Sequence, residues 1–111
     1  MKIHVDLLQK LQLDYIVATL EYDKVIANRH RVIGFRGMKH DYYSPSSDVE
    51  QAGEIIDREQ ITILMLEDLC EATCPTGKPS SALDRNPLRA AMLAYVKSRL
   101  GRTVKIPKHL T

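Results

Sequence analysis

The stretch Asn86-Pro-Leu-Arg-Ala-Ala-Met-Leu-Ala-Tyr-Val-Lys-Ser-Arg-Leu-Gly-Arg-Thr-Val-Lys-Ile-Pro107 decides how the chain folds. Asn86 is a good N-cap, Pro87 takes the first helical position, where a missing N–H costs nothing, and Gly101 supplies a left-handed stop. Between them Leu88, Ala91, Met92, Tyr95, Val96 and Leu100 recur at helical steps, while Arg89, Lys97 and Arg99 fall mainly on the other side. The spacing predicts a helix with one face in the core and one in solvent, with Lys97 and Arg99 favourably placed at the negative end of its dipole. Thr103 to Ile106 then alternates polar and apolar before Pro107, the pattern of a short edge strand returning beside the helix.

Upstream, Ile61-Thr-Ile-Leu-Met-Leu66 has apolar residues on both faces and reads as a central strand. Glu67-Asp68 is a turn and Leu69 to Cys74 a returning strand, an antiparallel hairpin over 61–74. Pro75 to Arg85, with two Pro and one Gly, reads as a mobile loop. Met1 to Val5 alternates as a first strand, and Asp6 with Gln9 caps a helix over about residues 7–21 whose Leu7, Leu8, Leu11, Tyr15 and Ala18 trace one stripe. Leu13, Ile16, Val17 and Leu20 widen that stripe, so this helix is expected to be buried on more than one side. Val25-Ile26 and Val32 to Phe35 suggest a hairpin with a basic turn, and 37–46 a surface loop. Ser47 and Glu50 form a capping box for a helix expected to bend at Gly53, where glycine costs about 1 kcal/mol. The expected architecture is α+β in one domain, residues 1–111: a small, mainly antiparallel sheet packed by an N-terminal and a C-terminal helix.

Three blocks together resemble the phage NinX family. They are Leu13-Asp14-Tyr15-Ile16-Val17-Ala18; Tyr43-Ser44-Pro45-Ser46-Ser47-Asp48, followed by Gly53 and Ile55-Ile56-Asp57-Arg58-Glu59; and Pro87 to Met92, continued by Tyr95-Val96, Leu100-Gly101 and Val104 to Pro107. Tyr15 and Val49 stand where the family usually has Trp, and Glu54 where it commonly has Pro, so the chain is similar to a divergent member. The resemblance implies a small phage or prophage accessory protein, in a family to which no biochemical activity is assigned; the expectation of a cytoplasmic location in the bacterial host comes from the residues, with only two cysteines and no secretory segment.

Composition narrows the classes. No apolar run approaches the roughly 18 to 20 residues a membrane helix needs, and no secretory apolar segment follows Met1. The net charge of +2 conceals segregation: residues 1–23 carry −2, 24–40 +5, 41–71 −8 and 72–111 +7. Such a chain favours pairing of its own basic and acidic segments, or contact between copies, at least as much as binding a polyanion.

Four groups of residues invite a functional reading. Arg29, Arg31, Arg36 and Lys39, with aromatic neighbours, could neutralise the phosphates of a single-stranded nucleic acid, or simply form a solvated hairpin that complements the acidic segment. Tyr43, Ser44, Ser46 and Asp48 could form a small polar pocket at a helix start, or serve only as its cap. Cys70 and Cys74, if on a strand, share a face but lie about 13 Å apart, too far for one zinc or a disulfide, so they are expected to be buried thiols. Thr76-Gly77-Lys78-Pro79 lacks both the earlier Gly and the hydroxyl of a phosphate loop. With no catalytic, metal or cofactor constellation, the expectation is a non-enzymatic module that binds a host or phage protein, with nucleic acid as the alternative partner. A homodimer is also expected, through the strand at Thr103 to Ile106 or the apolar excess of the first helix.

Overall fold

Pro87–Leu100 is a helix, and the rest of the chain packs around it in the computed structural model, which describes residues 2–22, 24–28, 32–34 and 43–111. In chain order the described elements are β1 (Lys2–His4), a 3-10 turn (Val5–Leu7), α1 (Lys10–Glu21), β2 (Val25–Ala27), β3 (Val32–Gly34), α2 (Val49–Glu59), β4 (Thr62–Met65), β5 (Cys70–Cys74), β6 (Ser80–Asp84), α3 (Pro87–Leu100), β7 (Thr103–Lys105) and a last 3-10 turn (Lys108–Leu110). The fold is α+β and every described strand pairing is antiparallel. The strands are divided among three sheets: β1 with β7, β2 with β3, and β4-β5-β6.

The expected start of α3 is present: Asn86 Oδ1 accepts from the N–H groups of Leu88 and Arg89 at 2.9 and 3.4 Å. Its amphipathic character is not. Ala90 to Val96 are all buried, because α3 lies on β5 and β6 on one side and against α1 and α2 on the other. Leu88 is only half-buried, and Leu100 is exposed at the end. The helix stops as Gly101 takes φ 89°, ψ −162°, a positive φ but not the left-handed helical cap that Gly usually supplies.

Several boundaries differ from the sequence-based expectation, each for a local reason. The first helix begins at Lys10, because Val5–Leu7 forms a separate 3-10 turn; Gln12 Oε1, not Asp6, satisfies the start by accepting from Gln9 N–H at 2.9 Å. Leu7 is therefore exposed, whereas Gln12, Leu13, Asp14, Ile16, Val17 and Ala18 are buried. Asp48 rather than Ser47 caps α2, accepting from Glu50 and Gln51 N–H at 2.9 and 3.1 Å. α2 runs unbroken through Gly53; a helix this short tolerates one glycine when its Ala52 and Ile55 are anchored in the core. It ends at Gln60, whose φ of 57° is left-handed, and Ile61 N–H bonds back to the Ile56 carbonyl at 3.0 Å, which delivers the chain directly into β4.

The largest correction concerns the three-stranded sheet. The 61–74 hairpin is present, but β4 lies at the edge and β5 is central. The segment read as a mobile loop contains β6, paired along its whole length with β5. The β5–β6 connection is itself held: Lys78 N–H donates to the Ser98 carbonyl at 3.0 Å. Gly77 adopts φ 62° beneath α3, where an added Cβ would sit 2.7 Å from the Ser98 oxygen.

Candidate interaction surface

The two faces of β4-β5-β6 follow from strand alternation. Paired residues share a face, so Ile63, Ala72 and Ala82 form one inward row, while Leu64, Glu71 and Leu83, with Thr62, Thr73 and Ser81, face outward. The inward face meets α3 with small groups: Cys70, Ala72, Cys74 and Ala82 are all buried. Outward, no described element covers the sheet, and Leu64 and Leu83 are 57% and 52% exposed. Met65 and Leu66 at the hairpin end are 67% and 46% exposed. Large apolar side chains thus stand in water on one face of the sheet while alanines and thiols line the other.

Glu67, Asp68 and Glu71 make no ion pair among the described residues.

Around the C-terminal half of α3 the chain is joined by a polar clamp that the sequence reading did not find. Arg58 on α2 makes a two-pronged bond to Glu21 at the end of α1, at 2.7 and 2.9 Å, and its Nε meets Glu59 at 2.6 Å. Tyr95 Oη on α3 donates to Glu21 at 2.7 Å. Glu59 accepts from the Thr76 hydroxyl at 2.6 Å and pairs with Arg99, and both guanidinium groups lie over the Tyr95 ring. The Thr76 hydroxyl and then Arg58 hold the Glu59 carboxyl below its ordinary value, while burial and the bond to Glu21 push the Tyr95 hydroxyl up. These groups bond to one another and so tie three helices and a loop together. The local signal was thin: Arg58-Glu59 and Arg99 look like ordinary solvated charges until the fold brings them together.

Tyr43, Ser44, Ser46 and Asp48 lie in the turn before α2, and their described contacts lead to different parts of the fold. Tyr43 is buried edge-on against Tyr22, with ring centroids 5.1 Å apart, and burial and then Glu21 push its hydroxyl up. Ser44 N–H donates to Gln51 at 2.6 Å, and Ser46 N–H to the buried Asp14 at 2.9 Å. Burial raises the Asp14 carboxyl against the opposing pull of Ser46 and Lys10. Among the described residues Ser46 Oγ is buried with no hydrogen-bond partner. The residues of the nucleic-acid reading, Arg29, Arg31, Arg36 and Lys39, lie outside the described residues. Cys70 and Cys74 are free and buried on one face of β5, as their spacing suggested. Among the described residues no three or more His, Cys, Asp and Glu side chains gather as metal ligands, and no helix is long and apolar enough to cross a membrane.

The family described as "Bacteriophage P22, NinX" matches residues 5–99, from the first 3-10 turn to the end of α3. The chain belongs to the phage NinX family. It is thus a phage accessory protein, and the match takes in both the polar clamp and the open sheet face of this NinX-family chain. No curated protein matches it.

Proposed function

We propose that this NinX-family protein is a non-enzymatic interaction module that binds a protein of the phage or of its bacterial host, in the host cytoplasm, through the open face of β4-β5-β6. The observation that carries the reading is the placement of Leu64, Leu66 and Leu83 in solvent on one sheet face. Several large apolar groups exposed on one face of a sheet give another surface something to cover. The polar clusters elsewhere support an absence of chemistry in a weaker way, since their groups are bonded among themselves.

The test is affinity capture from infected bacterial lysate, with the parent protein and the Leu64→Glu/Leu83→Glu double variant compared after circular dichroism shows equal folding. At least one protein held by the parent and lost from the variant is expected. A parent that captures nothing, or equal capture by both, rejects the reading.

A further inference from the structure

We infer that the partner adds an extended, apolar and basic segment as a fourth strand along the free edge of β4. This deepens the interaction reading and rests on it. The hydrogen-bond pattern of the hairpin identifies the docking groups. Leu66 N–H donates to the Leu69 carbonyl at 2.8 Å, so that pair is hydrogen-bonded, and bonding alternates from there along the ladder. Leu64 and Thr62 therefore point their backbone groups at Glu71 and Thr73, while the N–H and C=O of Ile63 and Met65 point away from β5. Among the described residues no backbone bond outside the β4–β5 ladder engages those two.

The two edges of this sheet are treated differently. On β6 the Ser81 carbonyl is taken by Lys97 Nζ at 3.2 Å, a charged side chain laid over the edge. On β4 the sequence Thr-Ile-Leu-Met has no charge and no proline, the devices that ordinarily keep strands from adding. Exposure supplies the second argument. Leu64 and Met65 lie on opposite faces of β4 and are both more than half exposed. A helix or domain resting on the outer face would cover Leu64 and leave Met65 in water. A strand continuing the sheet flanks both.

Charge selects among possible strands. Glu67 and Asp68 sit at the end of β4 and Glu71 lies two strand spacings, about 10 Å, from an added strand, within reach of a long cationic side chain. A second copy paired through β4 would bring three more carboxylates to the same surface. A segment that interleaves apolar residues with Lys or Arg matches both the apolar flanks and the acids, which make no ion pair among the described residues, with main-chain bonds giving affinity and side chains giving selectivity.

The test uses the full chain, labelled for amide NMR and titrated with a peptide of about eight residues alternating Val and Lys, and separately with its Val and Glu counterpart. The Lys peptide is expected to shift and protect the amides of Ile63 and Met65 and to bind roughly fivefold or more tightly than the Glu peptide. Met65→Pro removes an outward N–H without touching the internal ladder and is expected to abolish that protection. Should that variant not fold, Glu67→Lys/Asp68→Lys at the exposed turn serves instead, with the preference between the two peptides expected to reverse. Equal affinity for the two peptides, or no effect of the Lys peptide on Ile63 and Met65, overturns the inference. Shifts confined to Leu83 and Thr73 overturn it while leaving the open face as an interaction surface. Sedimentation as a dimer with Ile63 and Met65 protected before any peptide is added assigns the edge to a second copy and overturns it too. Capture of a protein that depends on Leu64 and Leu83 is scored separately, so failure of the strand and failure of the module are distinguishable.

Discussion

The covered and open faces of β4-β5-β6 use opposite side-chain inventories. Toward α3 the sheet presents Cys70, Ala72, Cys74 and Ala82, and α3 contributes Ala90, Ala91 and Ala94 among its buried residues. Away from α3 it presents Leu64 and Leu83 beside Glu71, Thr62, Thr73 and Ser81. Small groups let a helix settle close to a sheet, and close approach yields dense packing even without bulky residues. What distinguishes the faces is thus distance to a partner rather than hydrophobicity. The inner face already has its partner in the chain; the outer one carries enough apolar surface for another.

The strongest way to break that comparison is within α3 itself, where bulk does matter. Met92 is fully buried, so Met92→Ala should cost about 2 to 5 kcal/mol by urea denaturation, a cavity as well as lost transfer energy. A midpoint equal to the parent's shows that α3 is not the packing centre. On the sheet side the error runs in the other direction. Ala72 is fully buried in the middle of β5, and Ala72→Leu should cost about 1 to 3 kcal/mol through overpacking. A neutral result there means helix and sheet stand far enough apart to admit a leucine.

The polar clamp sharpens the contrast, because it ties α3 to α1, α2 and the β5–β6 connection with charge. Glu59 has its proton affinity lowered in the folded state, so its contribution is present above the ordinary glutamate value of about 4.3 and is lost as pH falls through the lower, folded value. Asp14 works in the opposite sense: its raised value favours the fold in acid, and that benefit fades as pH rises through it. Glu59→Gln should cost about 1 to 3 kcal/mol at neutral pH, since Arg58, Arg99 and Thr76 lose a charged acceptor. The decisive readout is the urea midpoint against pH: below about pH 4.3 the difference between parent and variant should shrink. A difference that stays constant into acid means the carboxylate charge contributes nothing. Asn86→Ala, which removes the cap of α3, is expected to cost about 1 kcal/mol.

How much of this was legible depended on whether the deciding interaction was local. The cap at Asn86, Pro87 at the helix start, the 61–74 hairpin and the same-face cysteines were read correctly because each is written within a few residues. β4 was misplaced because an apolar run with both faces hydrophobic fits a central strand and an edge awaiting a partner equally well. β6 was missed because Pro75, Gly77 and Pro79 dominate the segment; Ser80-Ser-Ala-Leu-Asp84, free of Gly and Pro, was the available sign of a strand. The all-round burial of α3 was hidden because Ala counts weakly in any amphipathic pattern. The clamp joins Glu21, Arg58, Glu59, Thr76, Tyr95 and Arg99, and no local rule connects residues that far apart in sequence.

The smallest expected effect is also the most discriminating. Leu83→Ala removes a leucine side chain from β6, and in an ordinary half-buried strand such a change is felt as lost core. Here the side chain is 52% exposed, it points away from α3, and its cross-strand neighbour is Glu71 rather than another apolar group. Its truncation should therefore change stability by less than about 0.5 kcal/mol, the range of surface substitutions that touch no special feature. Leu64→Ala on β4 should behave alike, since it faces Glu71 from the other side and is 57% exposed. Set beside the cost of Ala72→Leu, this predicts that adding carbons to an inward alanine harms the fold more than removing them from an outward leucine. A loss of 2 kcal/mol or so at either leucine, on the scale of core truncations, means the outer face is already covered within the chain. In that case the leucines are core, and the surface offered to a partner disappears with them.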